Sequence, residues 1–425
     1  MSAADTDIGG TFDQLWSELL PLGVTATGGY RRFAWNDADL EARSWFASAA
    51  RARSLDVQTD RNGNLWAWWL PAGWSGEPRG AFVSGSHLDS VPDGGAFDGP
   101  LGVVSALCAI DVLRSRGVQL LRPVAVAVFA DEEGARFGVA CAGSRLATGA
   151  LLPQAACALT DVDGVSLDQA MRRAGVNTAQ LGRDDEALRR VGVFVELHIE
   201  QGRALVDIDA PVGIGTNIWP HGRWRFSFEG QANHAGTTLV IDRRDPMLPF
   251  AAAVLGVRKI AAAHGGVATF GRVHVEPNGT NAIPVRVTGW LDARGPDQAV
   301  VDAIVSGVTT VAHGGAVAEN VELIVTAESV SAAVEFSAEV NARLHRVLGG
   351  MADLGAVPDL GTGAGHDAGV LSSAVPTAML FVRNPTGVSH SPAEFAERAD
   401  CIVGVEALAA IMTDWVTTSE SVETS

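Results

Sequence analysis

Short apolar runs rich in β-branched and aromatic residues recur at Gly80–Ser84, Arg122–Ala130, Val191–His198 and Pro376–Val382. Their lack of polar alternation predicts strands buried on both faces. A period near 3.6 predicts helices at Asp39–Arg53, Gly102–Arg116, Phe336–Leu348 and Ile402–Val416. Strands alternating with helices imply an α/β layer with a mostly parallel central sheet flanked by helices. The middle of the chain has a different rhythm. Gly222–Glu229, Val267–Val275, Arg286–Asp292 and Val321–Thr326 alternate apolar and polar residues, as half-exposed antiparallel strands do. With helical stretches at Pro246–Ala263 and Asp297–Ala312 they run β-α-β-β-α-β, the split βαβ order. The expected organisation is therefore an α/β domain over residues 1–211 and 328–425, interrupted by an α+β domain over residues 212–327. The polar ends, Met1–Gly10 and Thr417–Ser425, are where disorder is expected.

Composition narrows the possibilities. A chain of 425 residues with 47% apolar residues can bury more than one core. Its net charge of −18 disfavours nucleic acid and anionic membranes as partners. No basic start followed by an apolar run opens the chain, and no apolar stretch reaches the ~20 residues of a membrane helix. The cysteines Cys108, Cys141, Cys157 and Cys401 show no paired spacing, and a soluble, reduced, cytoplasmic protein is expected.

Five segments carry polar residues that a core would reject. Gly85-Ser86-His87-Leu88-Asp89 follows a buried strand, where functional groups gather in open α/β sheets. Its His and Asp suit a metal ligand with its orienting partner, or a satisfied structural histidine. Gly94-Gly95-Ala96-Phe97-Asp98-Gly99-Pro100 precedes a helix, so Asp98 is either a ligand or a helix cap. Asp131-Glu132-Glu133 ends another strand; three adjacent carboxylates repel unless cations or solvent lie among them. Glu196-Leu197-His198-Ile199-Glu200-Gln201 closes a third strand. Gly365-His366-Asp367 and Ser389-His390-Ser391-Pro392 lie on late glycine-rich or turn-like loops. Taken together, His87, Asp98, Glu133, His198 and His390 form a histidine and carboxylate set suited to Zn²⁺ or Mn²⁺. A carboxylate shared between two ions would make it a two-metal hydrolytic centre.

The motifs GSHLDSVPDGGAFDGPLG, DEEGARFG, ELHIEQG, ANHAGTT, NGTNAIP, GAGHDAG and SHSPAE carry a family resemblance. From about Leu15 to Trp415 the chain resembles the N-carbamoyl amino acid amidohydrolases, including allantoate amidohydrolases and β-alanine synthases. These are a branch of the dinuclear-metal aminoacylase and exopeptidase superfamily. The resemblance implies two divalent ions per subunit, Zn²⁺ or Mn²⁺, with Co²⁺ or Ni²⁺ also compatible. Asp98 would bridge them, with His87 and His198 on one and Glu133 and His390 on the other. Glu132 would be the general base and Asp89 would orient His87. Gln201, Gly365 and His366 would help hold substrate. His234, Asn281 and Arg294 of the inserted lid and dimerisation domain would reach the partner subunit's site in a homodimer. Arg294 read alone is a surface salt-bridge residue. The chain departs from the family's usual form at Leu239-Val240 and in the tryptophan-bearing segment Thr216–Trp224, which bears on substrate side-chain preference. The implied activity is hydrolysis of the ureido group of a small carboxylated substrate, allantoate or an N-carbamoyl-L-amino acid, with release of ammonia and carbon dioxide. An aminoacylase or exopeptidase on the same centre and a non-catalytic homologue are the competing expectations.

Overall fold

The computed structural model describes residues 7–352 and 354–418. Of the polar ends, residues 1–6 and 419–425 lie outside the described residues, and a helix, Ile8–Leu19, already begins within the first. The chain divides into two compact units. One comprises Met1–Thr216, Glu335–Leu360 and Gly365–Ser425, the other Asn217–Val334 with Gly361–Ala364.

The first unit is built on a mixed sheet whose centre is parallel. Strands Val124–Phe129, Ala81–His87, Val191–Ile199 and Thr377–Val382 lie side by side in that order, all running the same way. Every residue of Ala81–His87, Val124–Phe129 and Thr377–Val382 is buried, which is why these stretches read as continuous apolar runs. Antiparallel strands flank this centre. Leu65–Trp69 pairs with Val124–Phe129, and Val212–Ile218 pairs with Thr377–Val382. That last pairing moves the boundary expected at residue 212. Val212–Ile214 is fully buried against the main sheet, so this segment completes the first unit before the chain leaves it.

The helix Pro100–Ser115 is apolar nearly all round, with Leu101, Val104, Leu107 and Leu113 fully buried. Burying each such side chain is worth roughly 1.5–3 kcal/mol. A helix this enclosed cannot shift without disturbing the sheet, and it fixes the segment Gly95–Gly99 that leads into it. The expected helix at Asp39–Arg53 begins two residues earlier, because Asn36 caps it by accepting from the Asp39 N–H at 2.8 Å. Alternation and periodicity did not anticipate the hairpin of Asp56–Thr59 and Leu65–Trp69 or the short helices between Ala142 and Arg190.

The second unit has an antiparallel sheet. Its strand order is Glu322–Ser331, His221–Glu229, Arg286–Arg294, Val267–Glu276. That is fourth, first, third, second, as the split βαβ order requires. Helices Met247–His264 and Gln298–Ala318 pack together, and Phe226, Phe228, Phe250, Leu291, Ile304 and Val308 form the core. Both helices are long and apolar enough to cross a membrane by length and composition, contrary to the expectation that no stretch would qualify. Each instead buries a stripe in the core: Phe250, Ala253, Val257 and Ala261 on one, Val301, Ile304, Val308 and Ala312 on the other. Leu248, Leu255, Val311 and Val317 remain exposed on these helices.

Candidate metal centre

The carboxyl ends of the four parallel strands converge on one cluster. His87 is the last residue of its strand, and Glu132 and Glu133 follow Val124–Phe129. His198 is the penultimate residue of Val191–Ile199, and the strand Thr377–Val382 leads to His390. Asp98 sits on the segment entering helix Pro100–Ser115. It does not cap that helix, whose cap residue is Gly99 with no side-chain bond. Gly99 has φ +85°, and a Cβ there would stand 2.5 Å from His87 Cε1. Only glycine lets the chain turn against the imidazole.

Asp98 divides its two oxygens between two sets of donors. Oδ1 lies 3.5 Å from His87 Nε2 and 3.2 Å from His198 Nε2, whereas Oδ2 lies 3.3 Å from His390 Nε2. Glu133 Oε2 is 3.7 Å from the same His390 nitrogen. Two donor groups result, His87–Asp98–His198 and Asp98–Glu133–His390, each with its ligand atoms within 4.8 Å of one another. His87 and His198 are 1% and 0% exposed, which leaves no solvent to satisfy a ring nitrogen.

The main chain sets the tautomers. His87 Nδ1 is 3.1 Å from the Asp89 carbonyl and His198 Nδ1 is 2.9 Å from the Ile199 carbonyl. Each Nδ1 therefore donates, which leaves each Nε2 facing the Asp98 carboxylate. A ring nitrogen beside an anion calls for positive charge there, either a proton on Nε2 or a cation between the groups. The same demand appears in the proton affinities. Burial opposes a charge on His87 and His198, yet the Asp98 hydrogen bond and the neighbouring carboxylates hold both above the ordinary imidazole range. Asp98 is held well below the carboxylate range; burial works against this, and its three histidine partners outweigh it. The Asp98 hydrogen bond lifts His390 to about 9, and burial followed by the Asp98 charge lifts Glu133 to about 7. The donor set thus fits divalent cations.

Around these donors, Asp89 faces both the histidine and the acidic turn. Its carboxylate stands 3.6 Å from His87 Nδ1. It also accepts from the Glu132 N–H at 3.1 Å and the Glu133 N–H at 3.0 Å. The Asp89 carbonyl holds the histidine Nδ1, and its side chain shapes the acidic turn. In that turn Asp131 adopts φ +55° and points both carboxylate oxygens into a buried position without a partner. Glu132 faces the cluster, 3.9 Å from His87 Nε2, and accepts from the Cys141 thiol at 3.1 Å. Burial pushes Glu132 well above the ordinary range; His87 opposes this, and Asp367 and Glu133 reinforce it.

Gln201 donates to Asp98 Oδ2 at 2.8 Å, while its own carbonyl oxygen is buried and unpaired. His366, beside Gly365, is buried with ring centroids 4.5 Å from His198, and its Nε2 is unpaired. Burial and then His198 hold it well below the ordinary range, so it is a neutral imidazole. Glu196 also lies near His198 and His366. Its two oxygens are taken by the Ser86 hydroxyl at 2.7 Å and the Ala368 N–H at 2.9 Å, so it buttresses the site.

His234 and Asn281 meet in the second unit. His234 pairs with Ala282 in a two-stranded ladder, and the Asn281 carbonyl accepts from Ala235 at 2.9 Å. Arg294 stands at the end of its strand, forked onto Asp292 at 2.8 and 3.2 Å and donating to the Gly363 carbonyl at 2.6 Å. Those bonds commit three of its five N–H groups.

Glu394 and Asn64, which no local pattern marks, also support the centre. Glu394 accepts from the Phe97 and Asp98 N–H groups at 2.9 and 3.0 Å. Asn64 accepts from Ala130 N–H at 3.0 Å, just ahead of the acidic turn. Glu394 lies within SHSPAE, but partners almost three hundred residues away leave no local signal. A cavity of about 810 Å³ beside Trp66, Trp68, Arg61 and Arg190 contains none of the ligands, so donor chemistry and not cavity volume locates this centre.

Comparison with known proteins follows the same lines. Residues 83–414 match Peptidase family M20/M25/M40. The N-carbamoyl-L-amino acid amidohydrolase of Geobacillus stearothermophilus is 38% identical over 401 residues, covering 93% of this chain and 96% of that one. The allantoate amidohydrolase of Escherichia coli is 31% identical over 414 residues, covering 94% and 97%. Among solved structures, an amidase of the hydantoinase/carbamoylase family from Burkholderia vietnamiensis superposes with a TM-score of 0.85 at 30% identity, covering 98% of this chain and 100% of that one.

Proposed function

Because the chain belongs to peptidase family M20/M25/M40, we propose that it is a dinuclear-metal amidohydrolase cleaving the ureido group of a small carboxylated substrate. The observation that carries this reading is the division of Asp98 between two histidine-bearing donor sets. The relatives named N-carbamoyl-L-amino acid and allantoate amidohydrolases supply the substrate class. An N-carbamoyl-L-amino acid is the first substrate to test, since the Geobacillus relative is the more similar of the two compared. Products are the amine-bearing acid, ammonia and carbon dioxide.

His87 and His198 would hold one ion, Glu133 and His390 the other, and Asp98 both. When bound, the ions, Zn²⁺ or Mn²⁺ or else Co²⁺ or Ni²⁺, supply Lewis acidity that makes water a nucleophile near neutral pH and polarises the carbamoyl carbonyl. Glu132, buried beside the ligands with a raised proton affinity, takes the proton from the attacking water and passes it to the departing nitrogen. His366 stays neutral and offers a ring nitrogen to substrate, as Gln201 offers its unpaired carbonyl oxygen, with Gly365 leaving room beside them. The partner subunit's His234, with Asn281 of the partner subunit, stabilises the developing oxyanion; removing a comparable donor elsewhere costs about 3–4 kcal/mol. The partner subunit's Arg294 binds the carboxylate with its uncommitted N–H groups.

The same reading makes the second unit a lid and dimerisation domain of a cytoplasmic homodimer. The exposed Leu248, Leu255, Val311 and Val317 on its two apolar helices support a covered face there. The test is ammonia release from N-carbamoyl-L-amino acids and allantoate, beside free amino acid release from matched N-acetyl amino acids. Turnover of the ureido compounds is expected. Turnover of the N-acetyl compounds alone would make the protein an aminoacylase.

A further inference from the structure

We propose that Glu394 is a positioning residue that clamps the Asp98 loop to the His390 loop and so sets the geometry of the Asp98–Glu133–His390 set. Its carboxylate is 5% exposed and fully engaged. Oε2 accepts from the N–H groups of Phe97 and Asp98 at 2.9 and 3.0 Å, and Oε1 accepts from the Ser389 hydroxyl at 3.1 Å. With both oxygens committed, Glu394 is not itself a ligand. Ser389 lies 3.3 Å from Asp98 Oδ2, and Gln201 donates to both at 2.8 and 3.2 Å. One side chain thus ties the backbone of the shared aspartate to the residue next to His390.

The clamp acts on a ligand that needs it. His390 has φ +54°, a conformation unusual for a residue with a side chain, and its side chain is 51% exposed. His87 and His198 lie at strand ends, buried, with Nδ1 fixed by main-chain carbonyls. Loss of Glu394 therefore loosens His390 together with the Asp98 loop while the His87 and His198 rings stay anchored, so the His390 side of the centre is weakened more. Gly95 is part of the device, because a methyl group there would collide with the Glu394 side chain.

Three full-length variants test this: Glu394→Ala, Glu394→Gln and Gly95→Ala. The glutamine oxygen can accept the same two N–H groups, and its amide can donate to Ser389. In chelator-stripped protein, amide exchange at Phe97 and Asp98 should quicken at least about tenfold in Glu394→Ala and Gly95→Ala and stay near wild type in Glu394→Gln. In Mn²⁺ titrations, Glu394→Ala should raise the Kd of the ion that His390→Ala abolishes at least about tenfold. The ion that His198→Ala abolishes should change by less than about threefold, and Glu394→Gln should restore the pair. Unchanged exchange at Phe97 and Asp98 in Glu394→Ala overturns the clamp, as does equal weakening of both ions. The second readout rests on the two-ion reading. Fewer than two Mn²⁺ in wild type would refute that reading alone, with the exchange experiment still deciding the clamp.

Discussion

Replacing Asp89 by asparagine separates two roles that the HLD motif leaves entangled. The Asp89 carboxylate accepts from the N–H groups of Glu132 and Glu133, and its main-chain carbonyl accepts from His87 Nδ1. Asparagine keeps the carbonyl and one side-chain acceptor but turns an N–H donor towards the other backbone N–H. One charge-assisted hydrogen bond is lost, worth about 1.5–3 kcal/mol. At about 1.4 kcal/mol per tenfold, the turn carrying Glu132 should occupy its productive arrangement roughly 10–150-fold less. Turnover at saturating metal should fall by that factor. Affinity for the His87-side ion should change little, because the substitution leaves the carbonyl that fixes the imidazole. Steady-state kinetics and Mn²⁺ titration on the same preparation measure both. Loss of the His87-side ion with normal turnover in fully loaded protein would show that the carboxylate orients His87 after all.

Glu132→Gln should retain metal and lose at least about 10²-fold in turnover, measured as ammonia release; activity within a few-fold of wild type would remove Glu132 from the role of base. Mixed refolding of inactive Glu132→Gln and His234→Ala proteins should restore about a quarter of wild-type activity, since half the dimers then carry one whole site in two. No recovery despite heterodimer formation would place His234 in the service of its own chain. Asp39 gives a pH prediction away from the ligands. Burial lifts its carboxyl from 3.8 to about 6, with Arg43 opposing and Asp89 assisting. An acid that binds its proton more tightly when folded favours the folded state below 3.8 and loses that advantage as pH rises to about 6. Asp39→Asn, which keeps an acceptor for Trp35 N–H, should therefore gain stability relative to wild type above that window and not below it. Urea midpoints at either side of the window check this, and an equal difference at both would refute the shift.

Much of this protein was legible along the chain. Strands buried on both faces appear as unbroken apolar runs because no position faces water, and half-exposed strands alternate because every second residue does. The β-α-β-β-α-β order of the second unit followed from that contrast. His87, Asp98, Glu133, His198 and His390 stood out because histidines and carboxylates at the ends of buried strands are costly to bury without partners. Tertiary structure decided what pattern cannot encode, namely which atoms meet. The sequence left Asp98 as cap or ligand; only the folded chain turns its two oxygens towards opposite donor sets and gives the capping position to Gly99. It placed Asp89 with His87 by proximity, and only the fold shows that the same carboxylate also holds N–H groups more than forty residues away. It missed Val212–Ile218 as part of the main sheet, because a strand's partner is chosen across the sheet by Thr377–Val382 and not by its neighbours in sequence. Periodicity records how each residue meets water, a local property. Hydrogen-bond partners are fixed by long-range packing, and there the sequence alone is silent.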